Sequence, residues 1–334
     1  MGCEALVLQP VVAGRANGLK DKTNRKLAAL VAGSYRRAML RFAEMPILDA
    51  WYYQVDASSV VDLFAKYAGK SAKQAGKTVK KARSRTRERT LEKMTQMVDG
   101  KRQIINAPPL VVRLANLLTD EQKAAARQQG DAEKAWQQYL ESLPEERRRL
   151  LRRYHVTDAA LRVGGVGSVG TRCMITLLEG DKPDDALILQ QKEAGHSALS
   201  AYLPERNYTS QAQRVVIGQR LIQASSDIFL GRHHGGSGVQ YYWRQLKDMK
   251  GSFDVTTLDA KGLGAYLGVC SLCLARAHAR SGDPIAISAY LGKSDSFDKA
   301  ISKFATAYAD QTEKDHQALL DAIKSGRVLA QEGV

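Results

Sequence analysis

The spacing of apolar residues predicts two helical regions separated by a stretch rich in strands. In "DKTNRKLAALVAGSYRRAMLRFAEM" the apolar residues recur with a period near 3.6, as in an amphipathic helix, and "SSVVDLFAKYAG" repeats that period. We therefore predict that residues 1–155 are mostly helical. The exception is Asp99-Gly100, which lies between two short apolar runs and predicts a β-hairpin.

The periodicity changes near residue 156. The segments "TRCMITLLEG", "DALILQQKEA" and "VQYYWRQLKDMKG" have the alternation and the side-chain types of strands. One amphipathic helix, "SQAQRVVIGQRLIQASS", interrupts them, and helical periodicity returns after residue 250. This order predicts the α+β class, with a β-rich lobe at 156–250 flanked by helical regions at 1–155 and 251–334.

Charge is the strongest feature of the composition. The formal net charge of the 334-residue chain is +15, and residues 66–93 contain eleven Lys or Arg against two Glu. This predicted basic helix is either a solvated surface or a face that binds an acidic partner or nucleic acid. No aromatic residue after Tyr67 is interleaved with these charges for stacking on bases.

Other features narrow the class of protein. No apolar run reaches the roughly 18 to 20 residues of a membrane span, and Pro10 interrupts the apolar N-terminal stretch, which no basic residue precedes. Four cysteines do not make a disulfide framework in a chain of this length. We predict a cytoplasmic protein without a metal site, in which Cys270 and Cys273 are core thiols.

Gly165, Gly167 and Gly170 have the GxGxxG spacing of a phosphate-binding loop. A tight turn needs glycines for steric reasons alone, so the pattern has a structural alternative. A dinucleotide-binding loop leads into a helix, whereas this one precedes a predicted strand, and a Walker loop requires Gly-Lys-Ser/Thr where Gly170 is followed by Thr and Arg. The nucleotide interpretation that remains is the strand, glycine loop and strand of protein-kinase-like folds.

A lysine on the following strand completes that interpretation. Ile188, Gln190 and Lys192 alternate along "LILQQKEA", so they share one face, while Leu187 and Leu189 pack on the other. The predicted nucleotide-binding residues are Gly165, Gly167, Ser168, Gly170 and Lys192. Kinases brace this lysine with an acidic residue on the next helix, but residues 210–225 contain none. The substitutes that the chain offers are Gln213, Gln219, Glu193 and Glu205.

Six motifs in order resemble a known family. They are "GGVGSVGTRCMITLLEG", "LILQQKEAGHSALSAY", "QRVVIGQRLIQASSDIFLG", "YYWRQLKDMKGS", "LARAHARSGD" and "YLGKSDSFDKAISKFATAYADQ". Together they resemble the uncharacterised bacterial family called domain of unknown function 2252, DUF2252. The resemblance implies a protein-kinase-like fold written in permuted order, with ATP and Mg²⁺ as ligands.

The same resemblance implies a catalytic segment of the form HGDxHxxNFG, followed by DFDE, ahead of the glycine loop. Neither segment occurs in these residues. We therefore expect the C-terminal part of a longer protein, incomplete or inactive as a phosphotransferase, with no catalytic residue assigned and the acceptor unidentified. The alternatives are a scaffold whose basic helix binds an acidic partner or nucleic acid, and an inactive remnant of a truncated gene.

Two further groups are candidates for lining the nucleotide cleft. Arg244, Asp248 and Lys250 in "WRQLKDMKG" line the cleft or face solvent. The second group is in "HARSGD", where the family resemblance suggests that His278, Arg280 and Asp283 line the cleft. Its structural alternative is the end of a helix capped at Gly282. His233 and His234 lie in "GRHHGGSG", which predicts a flexible loop tip.

Overall fold

The computed structural model describes residues 2–67, 76–77, 80, 87–122, 130–164, 170–182, 184–203, 208–236, 238–246 and 253–330. Over these residues the chain is a mixed α+β protein, as its periodicity predicts. It divides into two compact units. The helical unit comprises 1–84, 221–224 and 251–333, and the sheet unit comprises 85–220 and 225–250.

The helices and strands follow in chain order. The helices are α1 (Gly2–Ala16), α2 (Asp21–Glu44), α3 (Ile47–Tyr52), α4 (Ala57–Tyr67), α5 (Arg87–Met94), α6 (Leu114–Leu117), α7 (Asp131–Glu141), α8 (Glu145–Leu151), α9 (Gln211–Ile222), α10 (Ala260–Ser281), α11 (Pro284–Leu291) and α12 (Ser296–Lys324). The strands are β1 (Thr95–Val98), β2 (Lys101–Ile104), β3 (Val111–Arg113), β4 (His155–Arg162), β5 (Cys173–Glu179), β6 (Ala186–Glu193), β7 (Gly231–His234) and β8 (Gln240–Gln245). None of these helices is both long and apolar enough to cross a lipid bilayer.

The helical unit is built around α2. Val31, Tyr35, Met39 and Phe42 follow one another at spacings of four, four and three residues, so they form one stripe, and all four are buried. This stripe belongs to a core that α1, α10 and α12 complete. A partly buried ion pair ties α2 to α12 on another side, since the guanidinium of Arg36 donates to both carboxylate oxygens of Asp298 at 3.0 and 2.8 Å.

The sheet unit contains a six-stranded antiparallel sheet in the order β3-β4-β5-β6-β8-β7. A separate hairpin joins β1 and β2, and its turn residues Asp99 and Gly100 have φ values of 50° and 74°. Both residues are left-handed, as a two-residue hairpin turn requires. The hairpin prediction is confirmed.

The two faces of the sheet bury different sets of side chains. Leu187 and Leu189 of β6 pack with Trp243 against α7 and α8. Ile188, which lies between them in sequence, packs on the opposite face against Leu91 of α5. The predicted alternation of this strand is confirmed.

The prediction that "GRHHGGSG" is a loop is wrong for the first half of this segment. Gly231–His234 form β7, which pairs with β8 at the edge of the sheet. His233 is buried at 4% exposure. A Cβ atom at Gly231 would lie 2.6 Å from the ring of Tyr139, so only glycine allows this strand to approach α7. Gly231, one of the residues that predicted a flexible tip, is therefore required by close packing.

Candidate functional site

The end of the sheet next to the glycine-rich connection carries a row of polar side chains. Lys192 on β6 is directly opposite Cys173 on β5 and Tyr242 on β8. Arg232 on β7 is opposite Tyr242 in turn. Residues that face one another in antiparallel strands project from the same side of the sheet. These four side chains therefore form one line across four strands.

A second row lies beside the first, and a buried glutamine connects the two. Gln190 is opposite Arg244, and its Oε1 accepts hydrogen bonds from Nε and Nη2 of that arginine at 3.0 and 2.9 Å. Its Nε2 donates to Sγ of Cys173 at 3.2 Å. Gln190 is 4% exposed, so these bonds fix the guanidinium of Arg244 in place. We call the six residues of both rows the polar face: Cys173, Gln190, Lys192, Arg232, Tyr242 and Arg244.

Positive charge dominates this surface. Arg220 of α9 lies next to the start of β7, and burial and, to a smaller extent, the charge of Arg232 lower the pKa of its guanidinium. Its Nη2 donates to the carbonyl oxygen of Leu230 at 2.6 Å. Within the described residues, Arg220, Arg232 and Arg244 form no ion pair with a carboxylate. Three guanidinium groups that have no carboxylate partner in this part of the chain favour an anionic ligand.

The base of the glycine-rich connection is fixed to the strand that carries Lys192. The amide of Glu193 donates to the carbonyl oxygen of Arg172 at 2.9 Å, and the amide of Arg172 donates to the Glu193 carboxylate at 3.1 Å. Gly170 has a φ of 80°, which favours glycine.

The remaining residues of the proposed loop cannot be placed against the polar face. Gly165, Gly167 and Ser168 lie outside the described residues. Their part in phosphate binding stays a prediction.

Two of the four suggested substitutes for the acidic brace have other partners. Oε1 of Gln213 accepts hydrogen bonds from the amide and the hydroxyl of Thr209 at 2.6 and 2.9 Å, while Oγ of Ser210 accepts one from the amide of Gln213 at 3.0 Å. This is a capping arrangement at the start of α9. The carboxylate of Glu193 binds Arg172 as described above, and Glu205 lies outside the described residues.

Sequence reasoning did not select Arg232 or Tyr242 for this site. Tyr242 alternates with Gln240 and Arg244 on a predicted strand, so the alternation that placed Lys192 would have found it. Arg232 lies on β7, where one glycine and two histidines gave no strand signal. Of the proposed cleft residues nearby, Arg244 belongs to the polar face, whereas Asp248 and Lys250 lie outside the described residues.

The other proposed cleft residues belong to the helical unit. The side chain of Asp283 accepts hydrogen bonds from the amides of Ile285 and Ala286, and thereby caps α11. Nδ1 of His278 lies 2.6 Å from the hydroxyl oxygen of Tyr35.

Arg280 is held in the same unit. It donates from Nη1 to the carbonyl oxygen of Gln223 at 2.8 Å, and its guanidinium carbon lies 3.9 Å from the centre of the Trp51 ring. These contacts are those of structural residues, and the proposed role in a nucleotide cleft stays a prediction.

The cysteine prediction needs a correction. Cys270 is half-buried and Cys273 is exposed, so Cys273 is not a core thiol. The apolar periodicity of α10 does not show which of its sides faces solvent. Among the residues that the structure describes, no group of three or more His, Cys, Asp or Glu is arranged to hold a metal ion.

The basic segment at 66–93 is described only in part. Residues 68–75, 78–79 and 81–86 lie outside the described residues, and 87–94 form α5. The expected acidic or nucleic-acid partner of this segment stays a prediction.

Comparison with known proteins gives one match. A family model described as "Uncharacterized protein conserved in bacteria (DUF2252)" matches residues 6–322. No curated protein and no solved structure matches the chain.

Proposed function

The chain belongs to the DUF2252 family, and we propose that its sheet unit binds the phosphate groups of a nucleotide such as ATP. The observation that carries the proposal is the polar face. It brings Lys192 and Arg244 to one side of the sheet, beside the connection that contains the glycines. Guanidinium and ammonium groups are the usual protein ligands of phosphate. Backbone amides of a glycine-rich loop would supply further donors.

The order of elements along the chain also supports a kinase-like architecture, which is part of this proposal. Strand β4, the glycine-rich connection, β5, the lysine-bearing β6 and helix α9 follow one another, as the phosphate-binding elements do in protein kinases. The chain departs from that pattern at α9. Its charged residues are Arg214 and Arg220, so it offers no carboxylate to pair with Lys192.

The residues of the sheet unit fit a phosphate better than a magnesium ion. Mg²⁺ prefers carboxylate and other oxygen ligands. Both oxygens of Asp227 accept backbone amide hydrogen bonds, from Phe229 and Gln245, and Glu193 is bound to Arg172. We therefore propose nucleotide binding by cationic side chains and assign no phosphoryl-transfer step to the described residues.

The Lys192→Met variant tests the proposal. Methionine keeps most of the aliphatic stem and removes the charge. We expect the dissociation constant for ATP to rise at least tenfold, because a hydrogen bond to a charged group contributes roughly 1.5–3 kcal/mol. Isothermal titration calorimetry at fixed ionic strength, with and without Mg²⁺, measures the change.

Lys182→Met is the matched control. Lys182 is exposed in the turn at the other end of the β5–β6 hairpin, so its removal changes the net charge equally. We expect its affinity for ATP to stay within about twofold of the original. The proposal is wrong if ATP does not bind saturably, or if the two variants lose the same affinity.

A further inference from the structure

A second candidate site lies entirely within the helical unit. A cavity of about 830 Å³ is bounded by α2, α4 and α10. Ligand pockets in proteins generally measure about 300–1,000 Å³. Part of this space is open because α10 has glycines on the side that lines the cavity. Gly264 and Gly268 are one helical turn apart, and neither has a side chain that would fill the space.

The side chains of α2 make one end of the cavity apolar and the other end positively charged. The residues that α2 contributes recur at spacings of three and four, so they form one stripe along the helix. In chain order they are Leu27, Leu30, Ser34, Arg37 and Arg41. The stripe begins with two leucines and ends with two arginines, and the midpoints of these two pairs are about 16 Å apart along the axis, at 1.5 Å per residue.

The arginines at that end are available to an anion. Arg37 donates to Oγ of Ser34 at 3.3 Å, and Arg41 lies over the ring of Tyr53 with its guanidinium carbon 5.1 Å from the centre. Within the described residues, neither arginine lies within 4.0 Å of a carboxylate oxygen. None of the described residues that line the cavity is Asp or Glu.

The other walls are mainly apolar. Val60 and Leu63 of α4 and Leu272 of α10 line the cavity beside Leu30, which is 47% exposed. A third cation, Lys261, precedes Gly264 by three residues. A Cβ atom added at Gly264 would lie 3.2 Å from Cδ2 of Leu27. Lys261 therefore lies at the apolar end of the α2 stripe.

We propose that this cavity binds an amphipathic anion of the size of a fatty acid. Its apolar chain lies against Leu27 and Leu30, and its head group meets Arg37 and Arg41. Such a ligand matches both the shape of the cavity and the charge at its end. The site is independent of the nucleotide proposal, since all of its described lining residues belong to the helical unit.

Dodecanoate is the probe, and isothermal titration calorimetry on the full chain is the measurement. We expect saturable binding at one site. Dodecanol, which has the same chain without the charge, should bind at least tenfold more weakly. Absence of saturable dodecanoate binding, or equal affinity for dodecanol, overturns the proposal.

The Gly268→Leu variant fills the cavity and should abolish binding. A Cβ atom at Gly268 meets no other atom within 4 Å, so the added side chain points into open space. Leucine also has a higher helix propensity than glycine, which favours a folded variant. Gly218→Leu in α9 is the matched control, since this helical glycine of the sheet unit is equally open. Dodecanoate binding that survives in Gly268→Leu shows that the ligand lies elsewhere.

Charge removal tests the head-group position without altering the core. The exposed pair is changed together, in Arg37→Ala/Arg41→Ala, and we expect at least a tenfold loss of affinity for dodecanoate. Lys261→Ala removes one charge at the other end and should cost less than twofold. A larger loss in Lys261→Ala than in the double variant overturns the proposed orientation.

Discussion

Replacing Tyr139 with alanine is expected to lower the free energy of unfolding of the sheet unit by about 3–5 kcal/mol, the usual cost of truncating a buried aromatic residue. Tyr139 is fully buried, and its ring stacks on Trp243 with the ring centres 4.3 Å apart. Its hydroxyl donates to the carbonyl oxygen of Phe229 at 2.8 Å. Alanine would leave both a cavity and an unpaired carbonyl group.

Urea unfolding followed by tryptophan fluorescence measures this loss. Two of the three tryptophans, Trp136 and Trp243, lie in the aromatic cluster around Tyr139, so most of the signal follows the sheet unit. Tyr139→Phe is the control, because it keeps the ring and removes only the hydroxyl, at a cost of about 1 kcal/mol. Equal losses in the two variants would show that the hydrogen bond, and not the packing of the ring, stabilises the cluster.

This cluster packs on the face of the sheet opposite the polar face. Trp243 projects from the aromatic side of β8, whereas its neighbours Tyr242 and Arg244 project to the polar face. Likewise Leu189 packs in the cluster while Gln190 lies on the polar face. Loss of packing in the cluster that shifts β6 or β8 would therefore alter the distance between Lys192 and Arg244. Phosphate binding is expected to weaken in Tyr139→Ala even where the protein remains folded.

The strand that carries Lys192 could be predicted because it is central and long enough to alternate. Residues 189–192 of β6 pair with β5 on one side and with β8 on the other, and the leucines of the strand pack on one face. The buried stripe of α2 likewise lies on one side of its helix. In α2 the pattern in the sequence is the pattern of burial, whereas residues 186–191 of β6 are buried on both faces and only the type of side chain alternates.

The short edge strand β7 could not be predicted by the same argument. Four residues are too few to establish a period. Gly231 owes its place to Tyr139, which is distant in sequence, and His233 owes its place to Trp243 on the neighbouring strand. Arg232 was missed for that reason. The link between Gln190 and Arg244 was missed because it depends on the register of β6 and β8, and the register is a tertiary property.

Acidification is expected to destabilise the sheet unit through His233. Burial, with a smaller effect of the neighbouring His234, lowers the pKa of His233 to about 4. Its Nδ1 accepts a hydrogen bond from the indole N–H of Trp243 at 2.7 Å, which requires that nitrogen to be unprotonated. The folded protein therefore holds His233 neutral, whereas in the unfolded chain a histidine has a pKa of about 6.5.

The sign of the effect follows from these two pKa values. Above about pH 6.5 the side chain is neutral in both states, and its full contribution to stability is present. As the pH falls from about 6.5 through about 4, the unfolded chain binds a proton that the folded protein does not, so stability is lost. The difference between the two values corresponds to about 3 kcal/mol.

Urea unfolding at pH 7 and at pH 4 isolates this contribution when it is carried out on matched variants. His233→Asn keeps a side-chain oxygen as acceptor and removes the titration, so we expect it to lose about 3 kcal/mol less than the original protein between the two pH values. His234→Asn changes the exposed neighbouring histidine and should behave like the original protein. If His233→Asn is as sensitive to acid as His234→Asn, the loss comes from carboxylates elsewhere. In that case the contact between His233 and Trp243 does not govern the stability of the strand that positions Arg232.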